Sequence, residues 1–335
     1  MINLEWNYWS KKEIGAYLSL REGEIKLGEK VTFGNLEDLK TSKAKYVLLC
    51  VPEDIGIRAN HGVGGADSNY KAFFQAFLNI QSHETLTGEE VFLYGYLNPK
   101  WSEELGEVKE INALRDLTEK LDDFLEQILQ EIFALNKLPI LIGGGHNNAY
   151  PLMKAAYAQY NKGVHVVNID AHADSRALEG RHSGNSFSYA MNDGALKKYA
   201  LIAWQEAYNN SEIIRNLKNK GHLLFSYEDL FLRKNIDEEK IFNILSSFQN
   251  ENRYGLELDV DTIEGALSSA MTPLGIAPQQ AYNWVYRLAK HEKVLYFHLP
   301  EGVLHRKDGA KDRTIGKLLS FLVQAFIKGN LEKEN

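Results

Sequence analysis

Apolar residues along the chain fall into two patterns. Short, nearly unbroken runs rich in Val, Leu and Ile occur at KYVLLCV (45–51), VFLYGYL (91–97), LPILIGG (138–144), GVHVVNID (163–170), KYALIAW (198–204), HLLFSY (222–227), YGLELDVD (254–261) and KVLYFHL (293–299). Runs of this length without polar alternation are expected of parallel strands covered on both faces. Between them apolar positions recur every three or four residues. Ile111, Leu114, Leu117, Leu121, Phe124, Leu125, Ile128 and Ile132 mark one helix; others are expected at 278–290 and from about Arg313 to Lys328. Strand and helix patterns alternate, which predicts a three-layer α/β/α fold around a mostly parallel sheet of about eight strands. No Pro- or Ser-rich linker and no internal repeat divides the chain. The expected organisation is an N-terminal extension over 1–40 packed on a single domain over 41–335.

Composition narrows the class of function. The 335 residues are 44% hydrophobic and 25% charged, enough apolar material for a large core. Net charge is −7 and no long basic cluster appears, so nucleic acid is not an expected partner. Cys50 is the sole cysteine, which excludes an internal disulfide and fits a reducing compartment. No uninterrupted apolar run approaches the ~18 residues a membrane span needs, and the N-terminus does not read as a signal peptide; a cytoplasmic location without membrane association is expected.

Three of the apolar runs end in ligand-type side chains. LPILIGGG leads into His146, VHVVNID into Asp170, His172 and Asp174, and YGLELDVD ends in Asp259 and Asp261. Ligands of open α/β sheets bind beyond the carboxyl ends of strands. The period of two in DAHAD suggests that Asp170, His172 and Asp174 share one face of a strand end and converge. Ionisable groups so crowded repel and desolvate one another unless a cation compensates them. Two histidines and four carboxylates suffice for two divalent cations sharing carboxylates, and a thiolate-free, oxygen-rich set suits Mn²⁺ better than structural zinc.

GGGH at 143–146, DAHAD at 170–174 and DVD at 259–261 resemble the metal signatures of the ureohydrolase superfamily, which comprises arginases, agmatinases and formimidoylglutamases. The resemblance runs from about Val47 to the C-terminal helix. It implies two Mn²⁺ per chain, one held by His146, Asp170, Asp174 and Asp259, the other by Asp170, His172, Asp259 and Asp261, with Asp170 and Asp259 bridging. It also implies hydrolysis of a linear C–N bond in a small amidine or guanidine, and a trimeric or hexameric assembly. Asp174 is the candidate proton relay. Glu301, in YFHLPEG, resembles the family's acidic partner of the substrate cation.

Details of the motifs favour one branch of that superfamily. Arginases and agmatinases carry a histidine directly before the glycine of an HG pair; here RHSGNSF (181–187) has Ser183 before Gly184, similar to the SSGTPF pattern of formimidoylglutamases. His182, one position earlier, is either a displaced proton shuttle or a surface histidine, and Ser183 and Asn185 are candidate substrate contacts. Arg176 stands where formimidoylglutamases carry an arginine, and its guanidinium suits a dicarboxylate tail and repels a free amine. The segment GIRANHGVGGADSNYKAFF (56–74) resembles the family's entrance loop at Arg58 and Asn60; its GVGG lacks the spacing of a dinucleotide-binding turn. TIEGALSSAMTP (262–273) departs from the family's DPxxxPG, and Ser268 and Ser269 are candidate polar contacts there. The expected reaction is conversion of N-formimidoyl-L-glutamate to L-glutamate and formamide in histidine degradation. The alternatives are release of urea by an arginase-, agmatinase- or guanidino-acid-type hydrolase, and a catalytically inert metal-holding regulator.

Overall fold

The structure is a computed structural model that describes residues 3–332. All eight apolar runs form strands: β3 (Tyr46–Cys50), β4 (Val91–Leu97), β5 (Leu138–Ile142), β6 (Val164–Ile169), β7 (Leu196–Trp204), β8 (Leu223–Ser226), β9 (Tyr254–Leu258) and β10 (Val294–Leu299). Two further strands of two residues each, β1 (Trp6–Asn7) and β2 (Thr32–Phe33), bring the sheet to ten. The order is β1-β4-β3-β5-β10-β9-β6-β7-β8, with β2 also paired to β4. Only the β1–β4 pairing is antiparallel. Residues from the first 40 add to the sheet at β4: Trp6 pairs with Leu97, and Thr32 with Phe92.

Helices cover both faces. One face carries Ile111–Ala134, Ala149–Tyr160 and Ser211–Asn219; the other carries Glu238–Glu251, Pro278–Ala289 and Ile315–Leu331. Consecutive strand residues serve opposite layers, which explains the unbroken apolar runs: Ile140 and Ile142 join one core cluster while Leu141 joins the other. The helix expected from Ile111 is stabilised at its start by Glu110, whose carboxylate accepts from the backbone N–H groups of Asn112 and Ala113. Among the described residues no helix is long and apolar enough to cross a membrane.

Strand order is what gathers the ligand-type side chains. β5, β10, β9 and β6 are consecutive neighbours, although they come from distant parts of the sequence. Their carboxyl ends stand side by side, and the ladder continues past the strands: Glu301 N–H donates to the Gly144 carbonyl at 2.8 Å, and Asp259 N–H to the Ile169 carbonyl at 3.0 Å.

Candidate metal centre

Each ligand-type side chain is set by the turn that ends its strand. After β5, Gly143 and Gly144 adopt φ of 83° and 71°, a region that L side chains rarely occupy, and a Cβ on Gly144 would fall 2.2 Å from Asn148 Nδ2. This double bend turns the chain so that His146 opens a short 3₁₀ turn, His146–Asn148. Buried Glu53 secures it, one carboxylate oxygen accepting from Gly145 N and from the side-chain amides of Asn147 and Asn148.

DAHAD does not extend β6. The strand ends at Ile169, and Asp170–Asp174 bend away as a loop in which Asp174 has φ of 42°. The expected convergence of three side chains on one strand face is therefore corrected. Asp170 and Asp174 join His146, whereas His172 turns with Asp170 toward Asp261. Polar side chains hold the loop: Asn209 accepts from Ala173 N and donates to the Ala171 carbonyl, each at 2.8 Å, and Asn168 donates to Asp170 Oδ2 at 2.9 Å. After β9, Asp259 caps the 3₁₀ turn Val260–Thr262 by accepting from Asp261 N at 2.8 Å.

Among the described residues three sets of side chains are close enough to share an ion; two stand at the strand ends, and the third, His146 with Glu257 and His298, lies inside the sheet. In the first, His146 Nδ1 lies 3.2 Å from Asp170 Oδ2, 2.9 Å from Asp174 Oδ2 and 3.0 Å from Asp259 Oδ2. In the second, His172 Nδ1 lies 2.8 Å from Asp261 Oδ2 and 3.7 Å from Asp170 Oδ1. Asp170 belongs to both groups; Asp259 belongs only to the first. An imidazole nitrogen carries at most one proton, so it cannot bond three carboxylates at once. His146 Nδ1 in fact makes no hydrogen bond, although it is buried. Ligands ~2.1 Å from an octahedral cation stand roughly 3 Å from one another, and the spacing in the first group matches that value.

The charges point the same way. Burial raises the carboxyl of Asp174, with Asp170 adding to the rise, and raises Asp261 to about 6. Burial, then Asp261 and Asp170, push Asp259 well up. Burial opposes ionisation of Asp170 too, but His146 and His172 hold it below the usual carboxylate range. Carboxylates so placed are tolerable as anions only beside compensating positive charge.

Glu301 stands next to this group with φ of 68°, its carboxylate accepting from His146 N at 3.1 Å and from the Ser269 hydroxyl. Burial and then the charge of Asp259 push it well above the ordinary glutamate value. Ser269 thus makes a polar contact at the site, while the Ser268 hydroxyl is buried without a partner. A cavity of about 290 Å³ opens over His172 and Asp174, walled by Asn60, Arg176, Gly184 and Tyr208. Arg176 is exposed at its rim and donates to Asn60 Oδ1 at 3.3 Å. Tyr208 stacks on His172, ring centroids 5.3 Å apart.

Two residues of the RHSGNSF loop do not reach the cavity as expected. His182 is not a surface residue: it is fully buried, its Nδ1 accepts from Gly184 N at 3.1 Å, and its Nε2 faces Glu179 at 3.2 Å. Burial and nearby Arg115 depress its pKa to about 4. Asn185 is spent on its own loop, its oxygen accepting from Arg181 and from His182 N and its amide donating to the carbonyls of Ala177 and Gly180. Neither has polar capacity left for a substrate. Ser183 is 7% exposed and lies behind Asn60, at 3.5 Å from its amide. Arg58 likewise clamps backbone, donating to the carbonyls of Leu105, Gly106 and Val108.

Asn209 and Tyr208 carried no signal in the sequence, because nothing in a loop residue announces which backbone or ring it will meet. Glu257 and His298 did carry one: each is a polar residue inside an apolar run, and each is fully buried.

Known proteins similar to this chain include formimidoylglutamases. A formimidoylglutamase of Streptococcus pyogenes is 25% identical over 322 residues, an alignment covering 91% of this chain and 93% of the relative. The structure of formimidoylglutamase from Bacillus subtilis superposes with a TM-score of 0.74 at 16% identity, covering 95% of this chain and 96% of the other. A Trypanosoma cruzi formiminoglutamase solved with Mn²⁺ gives 0.69 at 18%, covering 90% and 99%. The model of the arginase family matches residues 44–302, which span all three ligand segments, and the chain belongs to that family.

Proposed function

We propose that the chain is a manganese-dependent hydrolase of a linear amidine, with His146, Asp170, Asp174 and Asp259 holding one ion and Asp170, His172 and Asp261 the core of a second site. The observation that carries this reading is the buried His146 Nδ1, which faces three carboxylate oxygens at 2.9–3.2 Å and bonds none of them. Oxygen-rich ligation with some imidazole suits Mn²⁺. Two such ions would supply Lewis acidity and a water-derived nucleophile near neutral pH.

The protein's own groups do the rest. Asp174 forms part of the cavity floor and is placed to take a proton from the attacking water and pass it to the departing nitrogen. Water oxygen adds to the formimidoyl carbon, the bond from that carbon to the glutamate nitrogen breaks, and the proton completes the amine. Glu301, buried and already bonded on both oxygens, retains lone pairs that can face the amidinium. Arg176, at the rim, would meet the carboxylates of the substrate tail. That tail selects N-formimidoyl-L-glutamate, which yields L-glutamate and formamide, a step of histidine breakdown. The formimidoylglutamases among the relatives support the same choice.

The test is a panel of formimidoylglutamate, arginine, agmatine and guanidinobutyrate, assayed with the Mn²⁺-loaded protein. Formamide and glutamate from the first compound alone are expected. Urea from arginine or agmatine at a comparable rate would refute the substrate, and release of nothing from any of them would favour an inert metal-holding protein.

A further inference from the structure

Glu257 and His298 form a polar pair inside the sheet that the ligand groups do not use. They lie on β9 and β10, directly opposite each other in the strand register, and both are 0% exposed. His298 Nδ1 stands 2.6 Å from Glu257 Oε2. A carboxylate among apolar strand residues is costly to bury, and the core does not require it. His298 offsets part of that cost, yet a hydrophobic pair would have packed the same space without it.

Besides the buried Tyr296 hydroxyl beside it, the carboxylate has one other neighbour of note. Glu257 Oε2 lies 3.5 Å from His146 Nε2, the ring nitrogen on the far side from the first ligand group. That nitrogen is buried and makes no other hydrogen bond. The 3.5 Å gap is long, and a shift of roughly half an ångström brings it to hydrogen-bond length. His146 therefore stands between two sets of carboxylates, with Nδ1 toward Asp170, Asp174 and Asp259 and Nε2 toward Glu257. A ligating histidine commonly gives its second N–H to a carboxylate, which fixes the tautomer, orients the ring and makes the free nitrogen a stronger donor.

We propose that Glu257, held in place by His298, is a positioning residue for the first metal group: it accepts a hydrogen bond from the Nε2–H of His146 and so leaves the Nδ1 lone pair facing the ion. The inference rests on the metal reading of that group and adds that the strength of one site is set from inside the sheet. Among the described residues no contact joins the pair to His172 or Asp261, and the second group is linked to His146 through the shared Asp170, so the influence falls mainly on one of two ions.

Calorimetric titration of the metal-free full chain with Mn²⁺, alongside its thermal unfolding, separates the alternatives. The wild type is expected to bind two ions. Glu257→Gln should weaken one by about 10- to 100-fold and leave the other within about twofold, with little change in the melting temperature of the metal-free protein. His298→Gln should act in the same direction more weakly, and the double variant should bind no worse than Glu257→Gln, since both act through one contact. Equal weakening of both ions together with a lowered melting temperature would mean a merely structural role and overturn the proposal; so would unchanged affinities, or three ions in the wild type falling to two in Glu257→Gln, which would make Glu257 a ligand. Should Glu257→Gln fail to fold, His298→Gln alone carries the comparison. A wild type that binds no Mn²⁺ would instead sink the metal reading itself.

Discussion

Arg176 shows how a single side chain connects sequence to specificity. Its position, where formimidoylglutamases carry an arginine, suggested a carboxylate partner, and it stands exposed at the rim of the cavity beside Asn60. Arg176→Ala should raise KM for formimidoylglutamate about tenfold and leave kcat within about twofold, because the contact is made equally in ground and transition states; a large fall in kcat with unchanged KM would assign it another role. His182 teaches the opposite lesson. It was legible as a histidine near the site, but a one-residue offset within a turn decides whether a ring faces a cavity or caps a backbone N–H, and no pattern encodes that. His182→Ala leaves the buried Gly184 N–H without an acceptor and should cost ~1–3 kcal/mol in urea unfolding. His182→Asn should restore part of it, and the shape of the pH–rate profile should stay the same in both; loss of one limb of that profile would return His182 to catalysis. Among the ligand-type residues the sequence was clearest, because polar groups at the ends of apolar runs stand out against their surroundings.

Among the elements, eight strands could be read from their apolar runs, whereas β1 and β2 could not, since two residues carry no periodicity. Strand order was invisible as well. A parallel sheet imposes no sequence adjacency on its neighbours, so the insertion of β10 between β5 and β9, which brings Glu301 to the site, appears only in the fold. The packing of β9 on β10 is tight at one position: a Cβ on Gly255 would lie 2.0 Å from the Tyr296 ring. Gly255→Ala should therefore cost ~1–3 kcal/mol of stability, and a neutral or stabilising effect would contradict the packing. On β6, His165 is buried with Nδ1 against the Phe248 carbonyl at 3.1 Å, and burial depresses its pKa to about 4. The unfolded chain, whose histidine titrates near 6.5, then binds the additional proton, so this group's contribution to stability falls as pH drops from about 6.5 toward 4. His165→Gln should flatten that part of the stability–pH curve relative to wild type; an identical slope in both would exclude His165 as its source.

For the molecule as a whole, the sheet gathers four distant segments at the carboxyl ends of its central strands and so concentrates negative charge that the chain alone does not neutralise. The two ligand groups meet at Asp170, whose oxygens face both. Occupancy by ligand should also stabilise the fold, by ~2.7 kcal/mol when free metal exceeds Kd a hundredfold, and a chelator should lower the melting temperature accordingly. The most direct measurement is equilibrium dialysis of the purified chain and of Asp170→Asn against Mn²⁺, followed by elemental analysis. Two ions per wild-type chain, with both lost or greatly weakened in Asp170→Asn, are predicted; a wild type without stoichiometric metal, or a variant that keeps both ions at full affinity, would contradict the shared centre.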